Sequence, residues 1–390
     1  PLHSLGVLRA GLLRGDKRPQ AQYLHPQWGI ALTPQTNGLH ATLDWIERAR
    51  VAFGVHKPVD AELIRHWHRS RAPWLERNPL LAIRMTTQRG SYFASEPVVV
   101  TRIRAATAQL AMVAAFQHPE PDRRSLLFSS SRINNYQTLD INHYLVFSDH
   151  PRRPRALAGD CVPLQGRGSR LVELSDLSIE IDPDYRGARR TIAAIEAAVS
   201  IVYRGHLQNM WRRRRDLRTR TSDRLFGALM YFLRSFHAGG QSWPATVSLA
   251  TAFEMLLTDS YSGGVSTRLA RRLKLVLRGT PGTLRYQEAF GVVYKARGDL
   301  VHAGAEPTGL DLHRAQQAFV LAFCVIAERI PRLPDGTQQV MQYLTGDDPA
   351  ADTQTVTAAC SCSRRVSIDR ALLAKGPIVC TLCSGDFAPA

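Results

Sequence analysis

Lysine is almost missing from this chain: of its 50 basic residues, five are Lys and 45 are Arg. Such a skew, beside abundant Ala, also arises from a GC-rich genome, so the net charge of +17 makes nucleic acid the favoured partner class without deciding it. Long apolar runs are scarce as well. Residues 319–327 form an unbroken one that is far too short to span a bilayer, and no membrane association is expected. Arg9 and Arg14 interrupt the apolar stretch near the N-terminus, which argues against a signal peptide and makes a cytoplasmic protein the expectation. No fixed-period repeat occurs, which argues against a solenoid. There is no Walker loop, nucleotide-binding glycine fingerprint or Gly-x-Ser-x-Gly elbow. Cysteine is sparse, with six residues in 390, yet four of them fall within the last 31.

What is present is an ordinary globular balance, 44% apolar and 21% charged, over a length that suits two or three domains. The first half reads as mixed α/β. Helical spacing runs through residues 39–53, 61–74, 104–116 and 191–204, whereas strands are expected at 97–101 (a Val triplet), 126–128, 143–147 and 177–181. Loops are expected at 151–154 and 166–169. His66-x-His68 lacks an apparent third ligand and is read as surface and core. From about residue 223 the pattern becomes almost pure helix. Helices are expected at 223–236, capped by Ser222 or Asp223, at 245–257, from a Ser266 or Thr267 cap to 277, at 284–302 and at 311–330. Short turns join them, as in a compact bundle. The expected fold class is therefore multi-domain α+β. It comprises a mixed α/β region over 1–215, a four- to five-helix bundle over 222–333, a linker over 334–356, and a small cysteine-bearing tail over 357–390.

Basic residues concentrate just before the bundle. Eight arginines lie between Arg204 and Arg224, including Arg212 to Arg215, against only Asp216 and Asp223. Such a run is either the solvated face of a connecting helix or a phosphate-binding stripe.

The most specific local feature is Tyr294-Lys295-Ala296-Arg297-Gly298-Asp299-Leu300-Val301-His302-Ala303-Gly304. On an ideal helix Arg297 and His302 differ by about 140° around the axis and about 7.5 Å along it. They flank one phosphate only where both border a shared cleft or the helix end distorts, which Gly298 and Gly304 permit. This segment resembles the Arg-x(4–6)-His signature of the HEPN superfamily, most closely its ApeA-like branch. Ala250-Thr251-Ala252-Phe253-Glu254-Met255-Leu256-Leu257 is similar to the Glu-containing second helix of that branch. Arg268-Leu269-Ala270-Arg271-Arg272-Leu273 resembles the basic helix that follows it. The resemblance covers residues 223–332. Gly298 and Ala303 stand where family members commonly carry a polar residue, often Asn, and a Gly.

The resemblance implies a helical ribonuclease domain that cleaves RNA without a catalytic metal, in a toxin or anti-phage effector that works as a homodimer with two motifs facing each other. RNA supplies its own nucleophile, the 2′-hydroxyl, so cleavage needs a proton shuttle and a phosphate clamp. His302 suits the first role and Arg297 the second, because a guanidinium forks onto two phosphate oxygens. Glu254 or Asp299 would orient Arg297 by a salt bridge. The alternative is a non-catalytic RNA-binding or scaffolding bundle, for which Gly298 and Ala303 speak.

The second constellation is Cys360-x-Cys362 followed by Cys380-x2-Cys383. Two close pairs across a short insert match a zinc ribbon or knuckle, each pair giving two thiolates to a tetrahedral ion. A tail of this length cannot hold a core unaided, which favours metal over free thiols, and four thiolates leave no open coordination position. The expected cofactor is therefore a structural Zn2+. Cys161 and Cys324 read as ordinary buried thiols.

Overall fold

In the computed structural model the described residues are 2–9, 23–25, 30–32, 39–54, 80–87, 92–117, 140–148, 189–211, 216–236, 243–259, 264–305, 310–347, 355–369 and 377–389. Expected elements at 61–74, 126–128 and 177–181, the loops at 151–154 and 166–169, His66 and His68, Cys161 and Arg212 to Arg215 lie outside them.

The described residues are mostly helical. The strands begin at Leu2–Arg9 (β1), Tyr23–His25 (β2) and Ile30–Leu32 (β3), followed by helix Leu39–Ala52 (α1) and strand Leu80–Thr87 (β4). Helix Tyr92–Gln117 (α2) and strand Asp140–Ser148 (β5) complete this half. The five strands form one sheet in the order β2-β3-β4-β1-β5, with every neighbouring pair antiparallel. The strand expected at 143–147 is the centre of β5. The strand expected at 97–101 is instead part of α2. Val98 and Val100 are buried there beside the run Ala105, Ala106, Ala108 and Ala111, so burial decides the conformation against the β preference of the Val triplet. Arg102, on the same helix, is buried and donates from Nε to the Arg84 carbonyl of β4 at 2.9 Å, joining helix to sheet.

The second half is a stack of helices: Arg189–Trp211 (α3), Leu217–Arg234 (α4), Trp243–Leu257 (α5), Val265–Val276 (α6), Thr283–Ala303 (α7), Leu312–Arg329 (α8) and the short Val340–Thr345 (α9). Strands Thr355–Ala359 (β6), Arg365–Asp369 (β7) and Ala388–Pro389 (β8) follow, in the order β7-β6-β8. Helix α4 starts more than a turn earlier than expected, because the Asp216 carboxylate accepts from the Thr219 amide at 2.8 Å and caps it. Ser222 is buried inside that helix and Asp223 turns toward α3 rather than capping. Its Oδ1 lies 2.7 Å from His206 Nδ1, and the His206 ring stacks on Phe226. The start of α6 likewise falls to Gly264, in the left-handed conformation, and not to Ser266 or Thr267. Asp311 caps α8 by accepting from the Arg314 amide.

One core runs from α2 to α9. It joins Ile103 and Met112 of α2, Ile195 and Val202 of α3, and a chain of rings in the bundle. Phe232 stacks on Phe319 at 4.6 Å, Phe319 meets Phe253 edge-on at 5.5 Å, and Phe253 meets Phe290 edge-on at 4.8 Å. The division placed between residues 215 and 222 therefore crosses continuous packing. Gly205 shows how close α3 and α4 come: a Cβ there would sit 2.1 Å from Ser222 Oγ. The segment expected as a linker, 334–356, carries α9 and a buried Asp347.

Candidate functional site

Helix α7 runs without interruption through the whole motif. Gly298 is helical, with open space where a Cβ would project, so the helix does not distort there. Gly304 ends it at φ 66°, its amide reaching the Leu300 carbonyl at 3.0 Å and the Ala305 amide the Asp299 carbonyl at 3.5 Å. Arg297 and His302 accordingly keep their ordinary helical separation of about 140°. Arg297 is half-buried and faces α5, where its Nη2 lies 3.6 Å from Glu254 Oε1. His302 is exposed in the last turn and makes no hydrogen bond among the described residues. Asp299 is exposed, and the carboxylate set against Arg297 is that of Glu254. Tyr294, to which the sequence analysis assigned no role, donates its hydroxyl to the same Glu254 oxygen at 2.8 Å. Its i, i+3 spacing to Arg297 was the available signal.

The helix that resembles the family's basic helix is organised inward. Arg272 is fully buried and donates to Asp347 Oδ2 at 2.9 Å, to Asp259 Oδ2 at 3.0 Å and to the Leu257 carbonyl at 2.8 Å. Arg271 grips both Asp347 oxygens, at 3.0 and 2.8 Å. Burial alone would raise the pKa of Asp347, yet the hydrogen bonds and charges of the two arginines outweigh it and hold the carboxyl below its usual range. Asp259 also accepts from the Met341 and Gln342 amides, at 2.6 and 3.1 Å, and so caps α9 from a distance. Arg224 donates to the carbonyls of Met255, Thr258 and Asp259 at the C-terminal end of α5. Arg224 of the basic run before the bundle, and Arg271 and Arg272 of the basic helix, are thus committed to the fold. Arg204, Arg218 and Arg220 are exposed, although Arg218 also reaches the Leu333 carbonyl at 3.0 Å.

The four tail cysteines come together. The Sγ atoms of Cys360, Cys362, Cys380 and Cys383 all lie within 4.8 Å of one another, with Cys360 and Cys380 buried. Each pair is built on a tight turn closed by a backbone hydrogen bond. The Ser363 amide meets the Cys360 carbonyl at 2.9 Å, and the Ser384 amide meets the Cys380 carbonyl at 2.9 Å. Ser363 and Ser384 take left-handed φ values of 65° and 56°, and a Cβ at Gly385 would meet Ser361 Oγ at 2.7 Å. Hydrogen bonding from Ser361 brings the Cys383 thiol down to about 6, which favours its thiolate. This donor set and spacing fit one metal ion such as zinc. Cys324, by contrast, is pushed up to about 12 by burial, which disfavours its thiolate.

Compared with protein-family models, curated proteins and solved structures, this chain matches none. Among the described residues, no helix is long and apolar enough to cross a membrane.

Proposed function

We propose that this protein is a metal-independent endoribonuclease of HEPN type, an ApeA-like toxin or anti-phage effector. The observation that carries this reading is the contact of Arg297 on α7 with Glu254 on α5, the pair that the resemblance implies. Arg297 binds the scissile phosphate, where charge builds as the 2′-hydroxyl attacks. His302 exchanges the proton with the attacking or the leaving oxygen. A regular helix turns these two side chains apart, so the working cleft is closed by the α7 of a second copy in a two-fold homodimer. The tail carries a structural Zn2+ on Cys360, Cys362, Cys380 and Cys383 and adds an RNA-gripping surface. Asp299 lies on the exposed side of the motif, where it adjusts the charge beside the cleft.

A second reading, a non-catalytic RNA-binding or scaffolding bundle, is favoured by the absence of any residue among those described that orients His302, and by Gly298 and Ala303 in the motif. One experiment separates the two. Cleavage of a model RNA should persist in EDTA and leave 2′,3′-cyclic phosphate or 3′-phosphate ends. His302→Ala should lower the rate by about 10²-fold or more, the usual scale for losing a general acid or base. Arg297→Lys should also be impaired, since an ammonium keeps the charge but loses the fork. Variants that cut like wild type would sink the catalytic assignment. Binding without cleavage by every form would establish the scaffold.

A further inference from the structure

One carboxylate oxygen, Glu254 Oε1, serves two groups. The Tyr294 hydroxyl donates to it at 2.8 Å, a full hydrogen bond, whereas Arg297 Nη2 stands 3.6 Å away, beyond hydrogen-bond length. The phenol and the guanidinium share this oxygen, and the phenol holds the shorter contact. Arg297 is held near Glu254 by charge, and among the described residues its N–H fork makes no hydrogen bond. The phenol is itself rigidly placed. Its ring stacks on Phe290 at 5.6 Å and 28°, and Phe290 packs edge-on against Phe253, the residue directly before Glu254. The guanidinium carbon of Arg297 lies 6.0 Å from the centre of the Tyr294 ring, one turn along the same helix.

We infer that Tyr294 is a positioning residue for Arg297: by satisfying Glu254 Oε1 it keeps the guanidinium aimed but free to receive the RNA phosphate. This rests on the ribonuclease reading above. Tyr294 acts through Glu254 and touches no reacting atom. Without the phenol, the carboxylate draws Arg297 into a closed ion pair that the phosphate must break before each turnover.

The test is Tyr294→Phe, which keeps the ring and its stacking and removes one oxygen. On a model RNA its kcat should fall about tenfold while KM stays within about twofold, because the wider basic surface sets ground-state binding. In a Glu254→Gln background, where a neutral amide cannot pull on the guanidinium, adding Tyr294→Phe should change kcat by less than about twofold. A wild-type kcat in Tyr294→Phe, or a tenfold loss that persists when Tyr294→Phe is added to Glu254→Gln, would overturn the inference. A role in folding alone would lower the melting temperature equally in both backgrounds and leave kcat untouched. If the wild-type protein cuts no RNA, the ribonuclease reading fails separately, and a crystal structure of Tyr294→Phe decides the inference. Contraction of the Glu254–Arg297 separation to about 3.2 Å or less sustains it, and a separation unchanged from 3.6 Å refutes it.

Discussion

The bundle and the tail hold their polar groups by different means. In the bundle the buried Arg272 is matched by Asp259 and Asp347, so both signs come from the chain itself. In the tail, Cys360 and Cys380 are at once candidate metal ligands and members of a small core whose other buried members among the described residues are Ala358, Ile368 and Phe387, with Val366 and Ile378 packed against it. A core of that size cannot offset the entropy of ordering its strands, whereas the core from α2 to α9 can. The bundle thus carries its own counter-charges, and the tail offers a four-thiolate site that fits a metal ion such as zinc. Their weak points should be separable.

The largest expected effect is loss of the metal. Freshly purified, reduced protein should carry about one zinc per chain, and Cys380→Ser with Cys383→Ser should abolish it, since four-thiolate sites contribute about 10–16 kcal/mol to small folds. Amide exchange should then become fast in β6 and β7 and stay slow in α5 and α8. Retained zinc in the double variant, or bundle helices that loosen together with the tail, would break the comparison.

A smaller effect is expected from the bundle's own charges. Asp347→Ala leaves Arg271 and Arg272 without their shared partner and should cost about 3–5 kcal/mol of unfolding free energy, with zinc content unchanged. The pH dependence sharpens this. The folded Asp347 carboxyl titrates below its unfolded value of 3.8, so its stabilisation is complete above that pH and is lost as pH falls beneath it. Denaturation midpoints measured from pH 6 down to pH 2 should fall less steeply in Asp347→Asn than in wild type. Equal slopes would remove the carboxylate from the account.

The smallest effect concerns packing without charge. Gly205→Ala drives a methyl into Ser222 and should destabilise the protein by about 1–3 kcal/mol. Gly205→Ala paired with Ser222→Gly should recover most of this loss, and failure to recover it would place the contact elsewhere.

Much of this architecture could be read from local pattern. The helices expected at 245–257 and 284–302 match α5 and α7 almost to the residue, because amphipathic spacing and glycine stops act within a few residues of one another. The four cysteines were legible for the same reason: each pair forms its own turn, and a metal needs only two such turns. The Glu254–Arg297 pair was expected only through a family resemblance, and it is the fold that brings α5 against α7. Tyr294 was missed because its role depends on a carboxylate 40 residues away.

The sequence by itself therefore determined that the second half is largely helical, where α5 and α7 begin and end, and which thiols meet, since these follow from short-range sterics and spacing. Only the tertiary structure decided which arginines face solvent. Arg271 and Arg272 look like members of any basic helix, yet Arg272 is buried and Arg271 half-buried because Asp347, 75 and 76 residues further on, lies against them. The same holds for the Val triplet in α2, where burial against neighbouring helices and strand β4 overrides a strand preference that is real but weak. A charge or a β-branched run has a local preference of about a kilocalorie, and long-range burial is worth several times that.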